Sequence, residues 1–212
     1  MFRLLFLIAL LQFHQPVFST EDTVSQAVAR YLTRIHKYME DEDWINAKRE
    51  LEVTARRYFK NEDSYERALI NQLYGQFYAL QRDYKNAIPW FEKAIARGRL
   101  PFAADLQVSY SLAQCYFQTG RYKDVIATLE NYRDKASKRG QNMAPIQLML
   151  LGIAYYQEQD TLNAYLNIAE ANATATKLNE EWLQYEFALA VKLEKYDAVS
   201  YTHLTLPTNG CV

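Results

Sequence analysis

His36, followed four residues later by Glu40, is a pair in this 212-residue chain whose types and spacing could do chemistry. On a helix that spacing puts the imidazole and the carboxylate one turn apart on one face, a geometry that could relay a proton or begin a metal site. A metal needs further ligands, and no others accompany this pair at ligand spacing, so a surface His–Glu pair is the ordinary reading. Glu40-Asp41-Glu42-Asp43 is a compact acidic run that could attract a cation. It lacks the glycine and the ligand spacing of a calcium loop, and in a turn its charge favours the N-terminus of the following helix. Cys115 stands between Gln114 and Tyr116, where a partly buried free thiol is expected. The chain contains no glycine-rich phosphate loop, no Gly-x-Ser-x-Gly elbow and no Cys–His nucleophile pair. The expectation is a protein that is not an enzyme, with no catalytic residue, cofactor or metal.

The elements that position these residues are repeated helical hairpins. Small or β-branched anchors recur at Ala47, Ala87, Val125, Ala164 and Val199, with spacings of 40, 38, 39 and 35 residues. Each follows a turn: Asp43-Trp44, Asp83-Tyr84, Arg121-Tyr122, Asp160-Thr161 and Lys195-Tyr196. On the preceding helix of each unit a tight-contact slot holds Ile35, Gly75, Ala113, Gly152 and Phe187, and three residues on come Tyr38, Tyr78, Tyr116, Tyr155 and Ala190. Gly or Ala in the slot lets the partner helix approach, and the aromatic fills the space beside it. These residues, clearest in Tyr74, Gly75, Tyr78, Ala87, Phe91 and Ala94 and again in Leu148, Leu151, Gly152, Tyr155, Ala164 and Ala171, resemble the tetratricopeptide repeat. Asn71 and Ser109 depart from that pattern by standing at its usual Trp position, and the period exceeds the family's 34 residues. Longer connectors account for the excess, at Arg97–Pro101 and Lys138–Asn142. The fold class this implies is all-α, a right-handed α-solenoid of four to five tetratricopeptide-like hairpins.

In such repeats the first helices line the concave side, which places a binding groove on this chain. At α-helical register it includes His36, Met39, Gln72, Gln76, Tyr110 and Gln114, and continues through Phe117, Gln118, Met149, Ile153, Tyr156 and Gln157. Glutamine amides can pair with the backbone of an extended segment, and Tyr, Phe and Met offer apolar anchors. The competing expectation is that several of these side chains pack against neighbouring repeats. Some tetratricopeptide domains hold a C-terminal carboxylate in a Lys/Asn/Arg clamp; those positions are uncharged here, which disfavours that mode.

Composition sets the remaining bounds. Half the residues are apolar, and 24 basic and 25 acidic residues are interspersed for a net charge of −1. No basic stripe offers itself to nucleic acid. Arg3, the apolar run Leu4–Leu11 and the small residue Ser19 describe a secretory signal over residues 1–19, cleaved after Ser19 or Thr20. Its removal leaves a charge one unit more negative and no stable membrane insertion, since the run is short for a span. Two cysteines give no disulfide framework despite the export. Asn172-Ala173-Thr174 is a formal glycosylation acceptor inside a helix, read as chance. The repeat domain is expected over 20–199 and truncated, because helical periodicity stops near Ser200. Pro207 and Asn209-Gly210 break the tail 200–212, which resembles translated sequencing adapter, so His203 and Cys211 carry no function.

A second resemblance is narrower. Leu150-Leu151-Gly152-Ile153-Ala154-Tyr155-Tyr156-Gln157, with Glu180–Gln184, Leu193–Tyr196 and Leu112–Tyr116, resembles secreted bacterial tetratricopeptide proteins associated with TonB systems. It implies a periplasmic accessory of the TonB–ExbB–ExbD machinery that powers outer-membrane uptake of iron complexes. The expected function is a non-catalytic periplasmic scaffold binding a protein or peptide. The alternative is a regulatory or substrate-binding subunit of a cell-wall enzyme or envelope assembly complex.

Overall fold

The computed structural model describes residues 26–58, 64–177 and 179–193. The signal-like segment, the Val199 anchor and the tail lie outside these residues. Among the described residues the chain is all helical: α1 (Gln26–Glu40), α2 (Trp44–Tyr58), α3 (Tyr65–Leu80), α4 (Tyr84–Ile95), α5 (Phe102–Gln118), α6 (Tyr122–Ser137), α7 (Pro145–Gln157), α8 (Thr161–Thr174) and α9 (Glu180–Lys192). They pair as four hairpins, α1–α2 through α7–α8, followed by α9. Each helix packs chiefly on its neighbours in the chain, most closely on its hairpin partner, which is a right-handed solenoid of tetratricopeptide-like units. None is long and apolar enough to cross a membrane, among the described residues.

The four hairpin turns share one backbone solution. Glu42, Arg82, Gly120 and Gln159 sit at the same place with φ of 56°, 61°, 74° and 65°, the left-handed region. Reversing the chain in two residues requires that conformation, and only one repeat meets it with glycine. The next N–H in each turn, from Asp43, Asp83, Arg121 and Asp160, donates to the carbonyls of Tyr38, Tyr78, Tyr116 and Tyr155 at 2.8–2.9 Å. These bonds satisfy carbonyls that the end of the first helix would otherwise leave unpaired.

Three of the four second helices then start with the same cap. The Asp43, Asp83 and Asp160 carboxylates accept from the backbone N–H of Asn46, Asn86 and Asn163 at 3.1, 3.3 and 3.1 Å. The asparagine amides donate back to the other carboxylate oxygen at 2.5, 2.7 and 2.8 Å. The acidic run at 40–43 thus supplies a helix cap, as its position in the turn suggests. In the third repeat the acid has moved three residues on, and the Arg121 guanidinium donates to Asp124 at 2.7 Å instead.

Packing explains the small residues. A Cβ on Gly75 would lie 2.5 Å from Phe91 Cδ1 of the partner helix, and one on Gly152 would lie 2.6 Å from Ile168 Cγ1 and 3.1 Å from the Ala164 carbonyl oxygen. The anchors Ala47, Ala87, Val125 and Ala164 are fully buried, as are Ile35 and Ala113 in the slot. Phe187 is the exception, 57% exposed in the slot that Gly75 and Gly152 occupy elsewhere. Successive repeats are joined by phenols: Tyr116 donates to Glu92 at 2.6 Å, and Tyr155 to Glu130 at 3.0 Å. Both glutamates stand five residues after an anchor. In the following unit the equivalent positions are Ala190 and Ala169, so donor and acceptor disappear together. Buried apolar residues form two clusters, one in the first hairpin and the adjoining face of α3, the other running from α4 to α9; Leu69 and Tyr78 pack against both.

Candidate functional site

The first helices α3, α5 and α7 differ in kind from the second helices. From Ala68 to Leu80 on α3 and throughout α7 there is no charged side chain, and on α5 the one charge is Asp105, buried in its first turn. Lys135 of α6 pairs with that carboxylate at 2.6 Å, so it carries no free charge to the surface. The second helices α2, α4 and α6 carry Lys, Arg, Asp and Glu along their lengths. From α3 to α7 the first helices are therefore poor in charge and bear amides while the second helices are charged; α1, with Arg30, Arg34, Lys37 and Glu40, and α8, whose one charge is Glu170, do not follow this division.

The twelve groove positions separate by burial. Gln118 and Gln157 are exposed, and Tyr156 is 46% exposed with the Lys192 ammonium 5.4 Å from its ring centre. Gln72, Tyr110, Gln114 and Phe117 are half-buried, with Phe117 set edge-on against Tyr122 at 5.5 Å. Gln76 is buried. Met39, Met149 and Ile153 are in the core at 3%, 1% and 6% exposure, which corrects the expectation that they line the groove. Met149 and Ile153 hold on α7 the register that Gln72 and Gln76 hold on α3, and Gln76 at 5% exposure is as buried as they are, so the packing of helices on one another covers much of this stripe. His36 is half-buried rather than on the surface, and burial lowers its pKa more than the Glu40 carboxylate raises it.

Burial without a partner marks further residues. The side-chain oxygens Asn71 Oδ1, Gln72 Oε1, Gln76 Oε1 and Ser109 Oγ are buried and accept no hydrogen bond. Asn71 and Ser109 were not among the expected groove residues. The signal for them lay in a polar residue standing where the repeat pattern asks for a large aromatic. Tyr110 is a neutral phenol to high pH: desolvation raises its pKa to about 12, against the lowering effect of a side-chain hydrogen bond with Gln114.

The other chemically suggestive groups are structural. Cys115 is buried, and desolvation pushes its thiol up to about 12, far from a reactive thiolate. Asn172 spends its amide on the α8–α9 contact, donating to the Trp182 carbonyl at 3.2 Å and to Glu186 at 2.7 Å. Among the described residues no group of three or more His, Cys, Asp or Glu is placed to hold a metal ion. A cleft of about 300 Å³ opens at the turn end between Trp44, Ile45 and Lys48 on one side and Phe77, Tyr78, Gln81 and Asp83 on the other.

Comparison with known proteins agrees with the architecture. The family profile described as anaphase-promoting complex, cyclosome, subunit 3 matches residues 80–143, the stretch from the end of α3 to the connector before α7. No curated protein sequence matches the chain. Among solved structures, MamA (residues 41 to the end) from Desulfovibrio magneticus RS-1 superposes with a TM-score of 0.65 at 16% identity, over 84% of this chain and 92% of that one. The apo form of RapI gives 0.65 at 12% identity, over 82% and 67%. The tetratricopeptide-like repeats of a Podosopora anserina putative kinesin light chain give 0.60 at 15%, over 82% and 90%. At such identities the likeness is one of fold.

Proposed function

We propose that this tetratricopeptide-like solenoid is a non-catalytic scaffold that binds a protein or peptide partner along the concave face of α3, α5 and α7. The observation that carries the proposal is the amide-bearing surface of those helices, uncharged beyond their first turns, against the charged lengths of α2, α4 and α6. A phosphate backbone would need a basic surface there, and a small charged ligand would need a counter-charge. Neither is supplied. Amides interleaved with half-buried aromatics fit the mixed hydrogen bonding and apolar contact of a polypeptide surface.

Residues 1–19 support delivery to the periplasm, and the segments around Leu150–Gln157 and Leu112–Tyr116 support an accessory role beside the TonB–ExbB–ExbD machinery. The test is a photoreactive phenylalanine analogue placed in turn at the exposed positions Gln118, Tyr156 and Lys123 in cells. Adducts of one protein at Gln118 and Tyr156, with none at Lys123 on the outer side, are expected. Capture confined to Lys123 overturns the concave-face assignment. Adducts containing ExbB or ExbD support the TonB role, and adducts of a cell-wall enzyme refute it. An alkaline phosphatase fusion that stays inactive refutes the periplasmic location.

A further inference from the structure

Each of the first three hairpins ends in a pair of exposed cations: Arg56 and Arg57 in the last turn of α2, Arg97 and Arg99 after α4, and Lys138 and Arg139 after α6. They are far apart in the sequence, where no basic run stands out. Folding lines them up, because every second helix runs from its turn toward the connector and so finishes on one edge of the solenoid. The Arg139 guanidinium lies 4.2 Å from the ring centre of Phe102, the first residue of α5, which sets the third pair beside the connector that carries the second. Acids close by do not cancel these charges. Glu52 reaches Arg56 at 3.9 Å and Asp134 reaches Lys138 at 2.6 Å, both as exposed pairs, which hold weakly and exchange with other anions. Asp105 is taken by Lys135 and Glu92 by the Tyr116 hydroxyl, and Glu66 in the first turn of α3 is half-buried. Helices α5 and α7 begin at this edge without a side-chain cap, so the positive ends of their dipoles add to it. The opposite edge is mixed. Lys48, Lys85 and Lys123 stand there among Glu42, Asp83 and Glu158, and aspartate caps cover the starts of α2, α4 and α8.

A row of paired cations, one pair per repeat, suits many separate monoanions better than one compact ligand, since a single phosphate or carboxylate reaches one pair at most. A leaflet with anionic headgroups presents such an array. All but Lys138 of the six are arginine, whose guanidinium meets phosphate oxygens through two N–H donors at once. Helix α1 also begins at this edge, so the apolar run at residues 4–11 is tethered on the cationic side of the molecule. That favours a membrane over an acidic protein as what the edge meets. We infer that the connector edge of the first three hairpins adsorbs to an anionic lipid surface, with these six cations on the headgroup phosphates. Adsorption there stands the hairpins on end and leaves the concave face of α3, α5 and α7 open to a partner. The inference goes beyond the scaffold function and does not depend on what the concave face binds.

The probe is a vesicle of phosphatidylcholine, alone or with about 30% phosphatidylglycerol, and the assay is flotation of the full chain. Binding to neutral vesicles measures what the apolar run contributes, and the ratio of anionic to neutral affinity measures the edge. Each cation near an anionic leaflet is worth about fivefold, so a ratio of at least about a hundredfold is expected at about 0.1 M salt. Raising the salt to about 0.5 M should lower it at least about tenfold, a result that needs no variant to fold. Arg97→Gln/Arg99→Gln/Arg139→Gln is expected to lower the ratio at least about tenfold at low salt. Lys48→Gln/Lys85→Gln/Lys123→Gln removes the same charge from the turn edge and should leave it within about threefold. A ratio that ignores salt, or equal losses from the two triple variants, overturns the inference. A ratio near one, with photocrosslinks in cells from position 138 to a single protein, gives the edge to an acidic protein and overturns the lipid assignment.

Discussion

Replacing Gly75 by alanine adds one methyl group, and the structure fixes what it meets. The new Cβ would lie 2.5, 2.6 and 2.8 Å from three ring carbons of Phe91, which is 1% exposed. Carbon atoms prefer about 3.5–4.0 Å, so the ring has to retreat by roughly 1 Å through a core with no free space. Alanine gains about 0.8–1.0 kcal/mol over glycine inside a helix. Overpacking of this kind costs about 1–3 kcal/mol, and contact with a ring face held between helices belongs in the upper half of that range. The expected net effect is a loss of about 1–2 kcal/mol, or a melting temperature lower by about 3–6 °C for a chain this size. Circular dichroism during urea and thermal unfolding of the full chain measures it. The companion variant is Phe91→Leu, which removes the ring the methyl group strikes. If the geometry is right, Gly75→Ala costs less in the Phe91→Leu background, with a coupling of about 1 kcal/mol or more. A Gly75→Ala protein that gains stability, or a pair of substitutions that simply add, would refute the hairpin register and with it the assignment of the groove face.

Three further expectations follow from other parts of the fold. Gln159→Gly should raise stability by about 0.5–1 kcal/mol by relieving a left-handed residue, whereas Gly120→Gln should lower it by a similar amount, both read from urea midpoints. Lys135→Met leaves the Asp105 carboxylate buried without its partner and should cost about 1–3 kcal/mol, and adding Asp105→Asn should recover most of the loss. Burial and the Glu130 carboxylate raise the Tyr155 phenol to about 12, above its value of about 10 when unfolded. Its contribution is then fully present below pH 10 and lost as pH rises toward 12. Tyr155→Phe should flatten that alkaline loss of melting temperature, with tyrosinate absorbance as the parallel readout.

The hairpins were legible because close helix contact leaves few residue choices: Gly75 opposite Phe91 and Gly152 opposite Ile168 are spaced in the sequence as they pack in space. The repeated Asp–Asn caps were also on the page, at 43/46, 83/86 and 160/163, and identical spacing would have found them. The groove was harder to read. Whether a residue such as Met149 or Ile153 faces the concave side or the next repeat depends on how far successive units rotate, and a rotation of tens of degrees moves a side chain from one surface to the other. Periodicity within one helix does not carry that angle. Burial of Met39, Met149 and Ile153 beside the half-buried Gln72 and Gln114 records the outcome.

The phenol–carboxylate links between successive hairpins, Tyr116 to Glu92 and Tyr155 to Glu130, give the chain a mechanical character. Stretched between its ends, a molecule whose helices touch mainly their sequence neighbours bears the load through one helix interface after another. Hairpins would peel off singly, each releasing about 130 Å of extended chain at roughly 3.4 Å per residue. Each link would act as a catch that slips before the next unit bears the tension. The expected trace is a sawtooth of low, evenly spaced peaks, the behaviour of a soft spring that lengthens in steps and recoils without losing its remaining coils.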